Sequence, residues 1–385
     1  MDNSHLNILI VTGIFEPESG GPANYAPNIA ANLVEKGHRV SVITYSPKAH
    51  YDSDEQYKFA LKRIARGNKL LNRVRMFFAV LFQARGVDVI YMLDWFAAGL
   101  PAALASRIRG VPYVVRVGGD YLWEQKYLES DAPPVSLADF YERGLHNRLS
   151  FKPFFWIIRF VLAHARTVVF NSDRQKGLYE RFYGLSHVAT IYNPVPRTET
   201  QGIVRSTASP ELVFWGRFIV MKNLTTLIRA FAQARLPDGY TLLLIGDGPR
   251  RAELVRLVQD LGLQSRVKIQ HSMRLAGVLE RIKNCRAFIL PSWTDISPNQ
   301  VYEALAIGLP AVVTKENYLS IRDKLPEMID PTSVSDVASK LEMLADDKRY
   351  KEFAENFTSI KFDNDWEDVV LEHLVIFNSV LKSNT

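Results

Sequence analysis

The stretch Trp293-Thr294-Asp295-Ile296-Ser297-Pro298-Asn299-Gln300-Val301-Tyr302-Glu303-Ala304-Leu305-Ala306-Ile307-Gly308-Leu309-Pro310 decides the fold. It follows an apolar run, Ala287-Phe288-Ile289-Leu290-Pro291, short enough for a buried strand. Ser297 is a good helix N-cap, Pro298 suits the first helical position, and Gln300 completes a Ser-x-x-Gln capping box. Gly308 and Pro310 are the stop signals. A strand-loop-helix unit of this kind leaves backbone N–H groups free at the loop, which makes it an anion site. Asp295 stands in the loop and Glu303 in the second helical turn, on a polar face with Asn299 and Gln300. A carboxylate there can accept hydrogen bonds from two neighbouring sugar hydroxyls. The plainer reading is an acid favoured by the helix dipole.

Working back from this stretch, strand and helix signals alternate. Residues 212–215 read as a strand, followed by Gly216-Arg217-Phe218 and then Lys222-Asn223, with Asn223 as N-cap of a helix carrying Leu224, Leu227, Ile228 and Phe231 on one face. Arg217 and Lys222 therefore bracket a strand-to-helix loop, where a planar guanidinium fork and a point charge together suit a diphosphate. Residues 240–245 form another strand, ending in the turn Gly246-Asp247-Gly248-Pro249. Strands at 267–270 and 311–314 complete the second half.

The N-terminal half has the same rhythm. A strand at 6–12, a loop with Gly20-Gly21, a helix carrying Tyr25, Ile29 and Leu33, and a strand at 40–44 make a β-α-β opening. Gly20 and Gly21 would let backbone N–H groups approach a phosphate or sugar, or simply form a turn. The strand at 113–117 leads into Gly118-Gly119-Asp120-Tyr121-Leu122-Trp123-Glu124. Ligands of open α/β sheets sit beyond the carboxyl ends of strands, so Asp120, Trp123 and Glu124 are candidate acceptor contacts. The Pro-, Thr- and Ser-rich segment 193–210 reads as the interdomain linker, and 366–381 as a helix with one apolar face.

At 385 residues the chain is too long for one ordinary core. A single cysteine, Cys285, excludes an internal disulfide and fits a reducing compartment. The apolar run at 8–11 is too short for a secretory leader, and no stretch is long and uncharged enough to span a bilayer, so a soluble or peripheral cytoplasmic protein is expected. The formal net charge is +6, and Lys58, Lys62, Arg63, Arg66, Lys69, Arg73, Arg75 and Arg85 occur with no acidic residue among them. Leu71, Val74, Phe78 and Leu81 give this stretch a helical period, with Arg73 and Arg75 on the opposite face. It reads either as a solvated face over a core helix or as a surface for anionic lipid at the inner face of the membrane. Residues 151–159, where aromatics and cations interleave, are a second such candidate.

The Asp295-x7-Glu303 pattern resembles the acidic-x7-Glu motif of the family 4 retaining glycosyltransferases, with Asp295 one methylene shorter than the usual Glu. Gly216-Arg217-x4-Lys222 resembles the donor-phosphate pair of that family. Gly246-Asp247-Gly248-Pro249 and Pro17-Glu18-Ser19-Gly20-Gly21-Pro22 resemble its turns near the donor. Gly118 stands where many members carry a His, so Asp120 or Glu124 is a candidate replacement. The resemblance implies an α/β GT-B fold, two doubly wound Rossmann-like domains facing a cleft. The N-terminal acceptor domain would span 1–195 and the C-terminal donor domain 196–360, with a terminal helix at 361–385 packing back on the first. It implies metal-independent, retaining transfer of a hexosyl unit from a UDP- or GDP-sugar, with no cofactor. The acceptor would be a saccharide or polyprenyl-diphosphate-linked saccharide of surface polysaccharide or glycoconjugate synthesis. Arg217 and Lys222 would hold the pyrophosphate, Glu303 the ribose, and Asp295 the transferred sugar, aided by the loop at Ser297, Pro298 and Asn299. A nucleotide-sugar 2-epimerase on the same fold would need acid–base residues that no motif supplies. A non-catalytic basic-surface protein would leave these motifs without a purpose, and nucleic acid is not an expected partner.

Overall fold

The central strands are short and nearly all apolar because they are buried on both faces, the condition of a covered parallel sheet. The structure, a computed structural model, describes residues 5–18, 20–127, 134–196, 200–205, 209–296 and 298–382. The chain divides into two compact units, one of Met1–Leu122, Gly144–Tyr192 and Trp366–Thr385, the other of Trp123–Arg143 and Asn193–Asp365.

The first unit begins β1 (Asn7–Thr12), α1 (Gly21–Glu35), β2 (Arg39–Ser46), β3 (Ala60–Ala65), α2 (Lys69–Gln83), β4 (Val89–Met92), α3 (Gly99–Arg109) and β5 (Tyr113–Val117). After β5 the chain passes through α4 (Tyr121–Tyr127) and α5 (Leu137–Glu142). It then forms α6 (Lys152–Ala163), β6 (Thr167–Phe170), α7 (Asp173–Tyr183) and β7 (Val188–Thr190). The seven strands pair in parallel in the order β3-β2-β1-β4-β5-β6-β7. The second unit is β8 (Glu211–Trp215), α8 (Leu224–Gln233), β9 (Thr241–Ile245), α9 (Arg251–Asp260), β10 (Val267–Gln270), α10 (Leu275–Ile282), β11 (Ala287–Leu290), α11 (Asn299–Ala306), β12 (Ala311–Thr314), β13 (Met328–Ile329), α12 (Val334–Ala345) and α13 (Asp347–Thr358). Its strands are parallel in the order β10-β9-β8-β11-β12-β13.

Both orders reverse direction once, between β1 and β4 and between β8 and β11. Neighbouring strands whose connections leave in opposite directions open a crevice at their carboxyl ends. The last helix, α14 (Trp366–Lys382), is part of the first unit, where its His373 is fully enclosed. Nδ1 of His373 donates to the Val369 carbonyl at 2.6 Å, which leaves Nε2 to accept from the Tyr91 hydroxyl at 2.7 Å. Burial, reinforced by the Arg116 charge, pushes this imidazole down to about 3.

Three local readings differ from the sequence expectation. Asn223 has a left-handed backbone (φ 53°) and makes no side-chain cap; its amide donates to the Pro291 and Pro331 carbonyls at 3.1 and 2.9 Å, tying the α8 entry to two other loops. Helix α11 starts at Asn299 with Pro298 in the N-cap position, one residue later than expected, and Gln300 Nε2 donates to the Trp215 carbonyl at 3.5 Å; Ser297, and with it the expected capping box, lies outside the described residues. Helix α2 is inverted. It buries Asn72, Met76, Ala79 and Val80, and the stripe holding Leu71, Val74 and Phe78 faces solvent.

Candidate active site

The switch point of the second unit is where the motifs converge. Lys222 follows β8 and Asp295 follows β11, and they form an ion pair at 2.5 Å, both side chains largely enclosed. Asp295 Oδ2 also accepts from the Ser292 hydroxyl at 2.9 Å, while Oδ1 accepts no hydrogen bond among the described residues. The loop carrying Asp295 is held by its backbone: Asp295 N–H donates to the Glu316 carbonyl at 2.9 Å, and Tyr318 N–H donates to the Asp295 carbonyl at 3.0 Å. Trp293 N–H donates to the Met221 carbonyl at 2.9 Å, fastening this loop to the turn that carries Lys222. The ion pair is therefore clamped by backbone on both sides.

One turn into α11, Glu303 Oε2 accepts from the indole N–H of Trp215, the last residue of β8, at 2.7 Å. The indole packs on Phe288 at 4.0 Å between ring centroids, so its N–H is a fixed donor. Asn299 Oδ1 accepts from the Asn193 amide at 2.7 Å. Arg217 is exposed and its guanidinium makes no ion pair among the described residues.

Gly246 and Gly248 have a steric reason for being glycine. A Cβ on Gly246 would lie 1.9 Å from the Gly216 carbonyl oxygen, and one on Gly248 would lie 2.4 Å from that of Phe218. The loop after β9 is thus pressed against the loop that carries Arg217, with Phe218 N–H donating to the Asp247 carbonyl at 2.8 Å and Arg250 N–H to the Phe218 carbonyl at 3.1 Å. Asp247 accepts from the backbone N–H and hydroxyl of Ser272, both at 2.8 Å, and these bonds, with His271 beside them, lower its carboxyl to about 2. A cavity of about 220 Å³ opens next to this arrangement, lined in part by Phe218, Asn223, Arg250 and Trp293.

The remaining sequence candidates are differently placed. Gly20 and Gly21 follow β1 at the switch point of the first unit; Gly20 is the N-cap of α1, where a Cβ would meet Ile14 at 2.7 Å, and the space at Gly21 is open. Asp120 is buried and accepts from the Tyr179 hydroxyl at 2.8 Å. Trp123 is buried, its indole donating to the Val135 carbonyl at 2.9 Å, and Glu124 is half-exposed on α4. Four residues that carry the geometry were not singled out by sequence: Trp215, Ser292, Asn171 and Asp94. Trp and Ser beside a strand end are too common to signal a role, and only the fold brings them to Glu303 and Asp295. Asn171 is buried with an unbonded Oδ1 and lies 3.4 Å from where a Cβ on Gly118 would be. Asp94 caps α3 by accepting from Phe96 and Ala98 N–H at 2.8 and 3.1 Å, and burial raises its carboxyl.

The two halves of this geometry match two family models, the glycosyl transferase 4-like domain over residues 20–195 and glycosyl transferases group 1 over residues 197–359. The chain belongs to the group 1 glycosyltransferases. This glycosyltransferase is 36% identical over 111 residues to the lipopolysaccharide core biosynthesis glycosyltransferase LpsE of Rhizobium meliloti, a match spanning 28% of the chain and 30% of LpsE. It is 25% identical over 281 residues, 68% of each chain, to alpha-D-kanosaminyltransferase of Streptomyces kanamyceticus. HepE of Anabaena, solved in complex with UDP and glucose, superposes with a TM-score of 0.76 at 18% identity, covering 97% of this glycosyltransferase and 100% of HepE. The fold is GT-B.

Proposed function

We propose that the chain moves a hexosyl unit from a UDP- or GDP-sugar to a saccharide or polyprenyl-diphosphate-linked saccharide, with retention and without a metal ion, in the cytoplasm at the inner face of the membrane. The observation that carries this reading is the clamped Lys222–Asp295 pair at the β8/β11 switch point, beside a carboxylate, Glu303, already oriented by Trp215. The kind of ligand is supported by HepE, solved with UDP and glucose, and by LpsE, named for lipopolysaccharide core biosynthesis.

In this reading Glu303, oriented by Trp215, takes a ribose hydroxyl. Arg217 and Lys222 take the diphosphate. As the sugar–phosphate bond lengthens, negative charge grows on the diphosphate, and fixed cations stabilise it where it develops. Lys222 is positioned by Asp295, and the free Oδ1 of Asp295 is available to a hydroxyl of the transferred sugar. The anomeric carbon becomes oxocarbenium-like, and the departing phosphate accepts the proton of the attacking acceptor hydroxyl. The proton is thus handled by the donor itself, and no separate general base is required.

The test is a thermal-shift and donor-hydrolysis panel of UDP- and GDP-sugars with chelator present, run on the wild type, Lys222→Ala and Glu303→Ala. A ligand bound only by the folded state must raise the melting temperature. One nucleotide should stabilise the wild type and neither variant, and the product should keep the donor's anomeric configuration by NMR. Variants that bind as well as wild type, or turnover that chelator abolishes, would overturn the reading.

A further inference from the structure

The inverted helix α2 is the most unusual surface of the molecule. A helix on a globular unit normally turns its apolar stripe inward. Here the outward face carries Leu70, Phe82 and Phe78 at 70%, 65% and 48% exposure, with Leu71 and Val74 also exposed. Phe78 stacks on Phe82 at 6.2 Å between ring centroids. Between α2 and the edge strand β3 runs a groove of about 420 Å³ lined by Lys62, Ile64, Val74, Arg75, Phe78 and Phe82.

The segments that form and flank this face are basic. Residues 57–87, 95–119 and 143–172 contain no Asp or Glu. Two of the basic residues are occupied: Arg63 is paired with Asp54, and Arg66 with Glu18. Lys58, Lys62, Lys69, Arg73, Arg75 and Arg85 make no ion pair among the described residues. An aromatic cluster lies between α2 and α6. Arg73 lies 5.3 Å from the Phe96 ring, Phe96 lies 5.5 Å from Phe154, and the next exposed aromatic on α6 is Trp156. Phe96, itself buried, stacks on Tyr121 at 4.4 Å beyond the carboxyl ends of β4 and β5.

We propose that the outward face of α2 is an interfacial membrane-docking surface for anionic lipid. Helix α2 is 15 residues long, and among the described residues no helix is long and apolar enough to cross a membrane, so it lies in the headgroup plane. Leucine and phenylalanine side chains enter the acyl boundary, while the unpaired lysines and arginines meet lipid phosphates. A protein partner reading an apolar helix would not need the unpaired Lys62 and Arg75 that line the groove; a phosphate-rich interface does. The groove beside β3 takes one headgroup between Lys62 and Arg75 and leaves its acyl chain against Val74 and Phe82.

Flotation of the full chain with vesicles tests this. The assay contains no nucleotide, so its outcome is independent of the donor-site reading. The protein should float with phosphatidylcholine vesicles containing phosphatidylglycerol, weakly with phosphatidylcholine alone, and salt should reduce the binding. Phe78→Ser/Phe82→Ser should lower partitioning about tenfold at an unchanged melting temperature, since both side chains leave water only on docking. Lys62→Glu/Arg75→Glu should abolish the preference for the anionic lipid. Equal flotation of the serine variant, or equal binding to both vesicle types, overturns the proposal. So does a wild-type dimer in light scattering that the serine variant dissociates, because the face would then belong to a second copy.

Discussion

The carboxyl edges of the two sheets use polar residues in opposite ways. At the second unit, side chains from separate loops are tied to one another before any ligand arrives: Lys222 to Asp295, Trp215 to Glu303, Asp247 to Ser272. At the first unit, two carboxylates are tied into the fold. Asp120 is buried against Tyr179 and Asp94 caps α3, and what faces outward nearby is aromatic and cationic. A small, highly charged ligand such as a diphosphate rewards fixed partners, because little reorganisation remains at the moment of reaction. A lipid interface rewards area and diffuse charge, which need no fixed geometry.

The comparison breaks most readily at Lys222. Lys222→Ala should lower kcat/KM by about 100- to 1000-fold, the loss of one fixed group at a developing charge. Because Lys222 and Asp295 act as one unit, Lys222→Ala/Asp295→Ala should lose little more than the single variant, read by steady-state kinetics on both. A double variant with fully additive losses would separate the pair. Next comes Gly248→Ala, whose Cβ would sit 2.4 Å from the Phe218 carbonyl oxygen and must displace the loop carrying Arg217. Donor affinity should fall with a stability loss of about 1–3 kcal/mol in denaturant unfolding. Trp215→Phe keeps the ring against Phe288 but removes the indole N–H; KM for the donor should rise about 5- to 10-fold with little change in kcat, the worth of one hydrogen bond to a charged group.

At the first unit the expected effects are on stability. Asp120→Asn should lower the melting temperature and leave the donor-induced shift intact; loss of that shift would make Asp120 part of the donor site. His373 supplies a pH signature. Its folded pKa, about 3, lies below the ordinary value of about 6.5 for histidine, so the unfolded chain binds the extra proton first. The stability it confers is complete above pH 6.5 and is lost as pH falls toward 3, and His373→Asn should flatten that part of the unfolding profile. The smallest effect expected is none at all. Phe78→Ser/Phe82→Ser should turn over a soluble acceptor at the wild-type rate.

Much of this architecture was legible because buried parallel strands and Gly-bounded helices are local signals. The expected strands at 212–215, 267–270, 287–290 and 311–314 coincide with β8, β10, β11 and β12 to within one residue. The short β7 and β13 carry too few residues to show a period, and neither was read from sequence. Asn223 looked like a cap because Asn often is one, yet its amide is taken by carbonyls 68 and 108 residues away. In α2 the period was right and the face was wrong, since periodicity gives the angle between residues and not the direction of the core. The alternation of elements, the spacing of Asp295 and Glu303 and the basic stretch were set by the sequence, because each depends on neighbours along the chain. Which cation meets Asp295, which donor holds Glu303 and which side of α2 is left to solvent were decided only by the tertiary structure, because each depends on strand order, and strand order joins β8 to β11 across some seventy intervening residues.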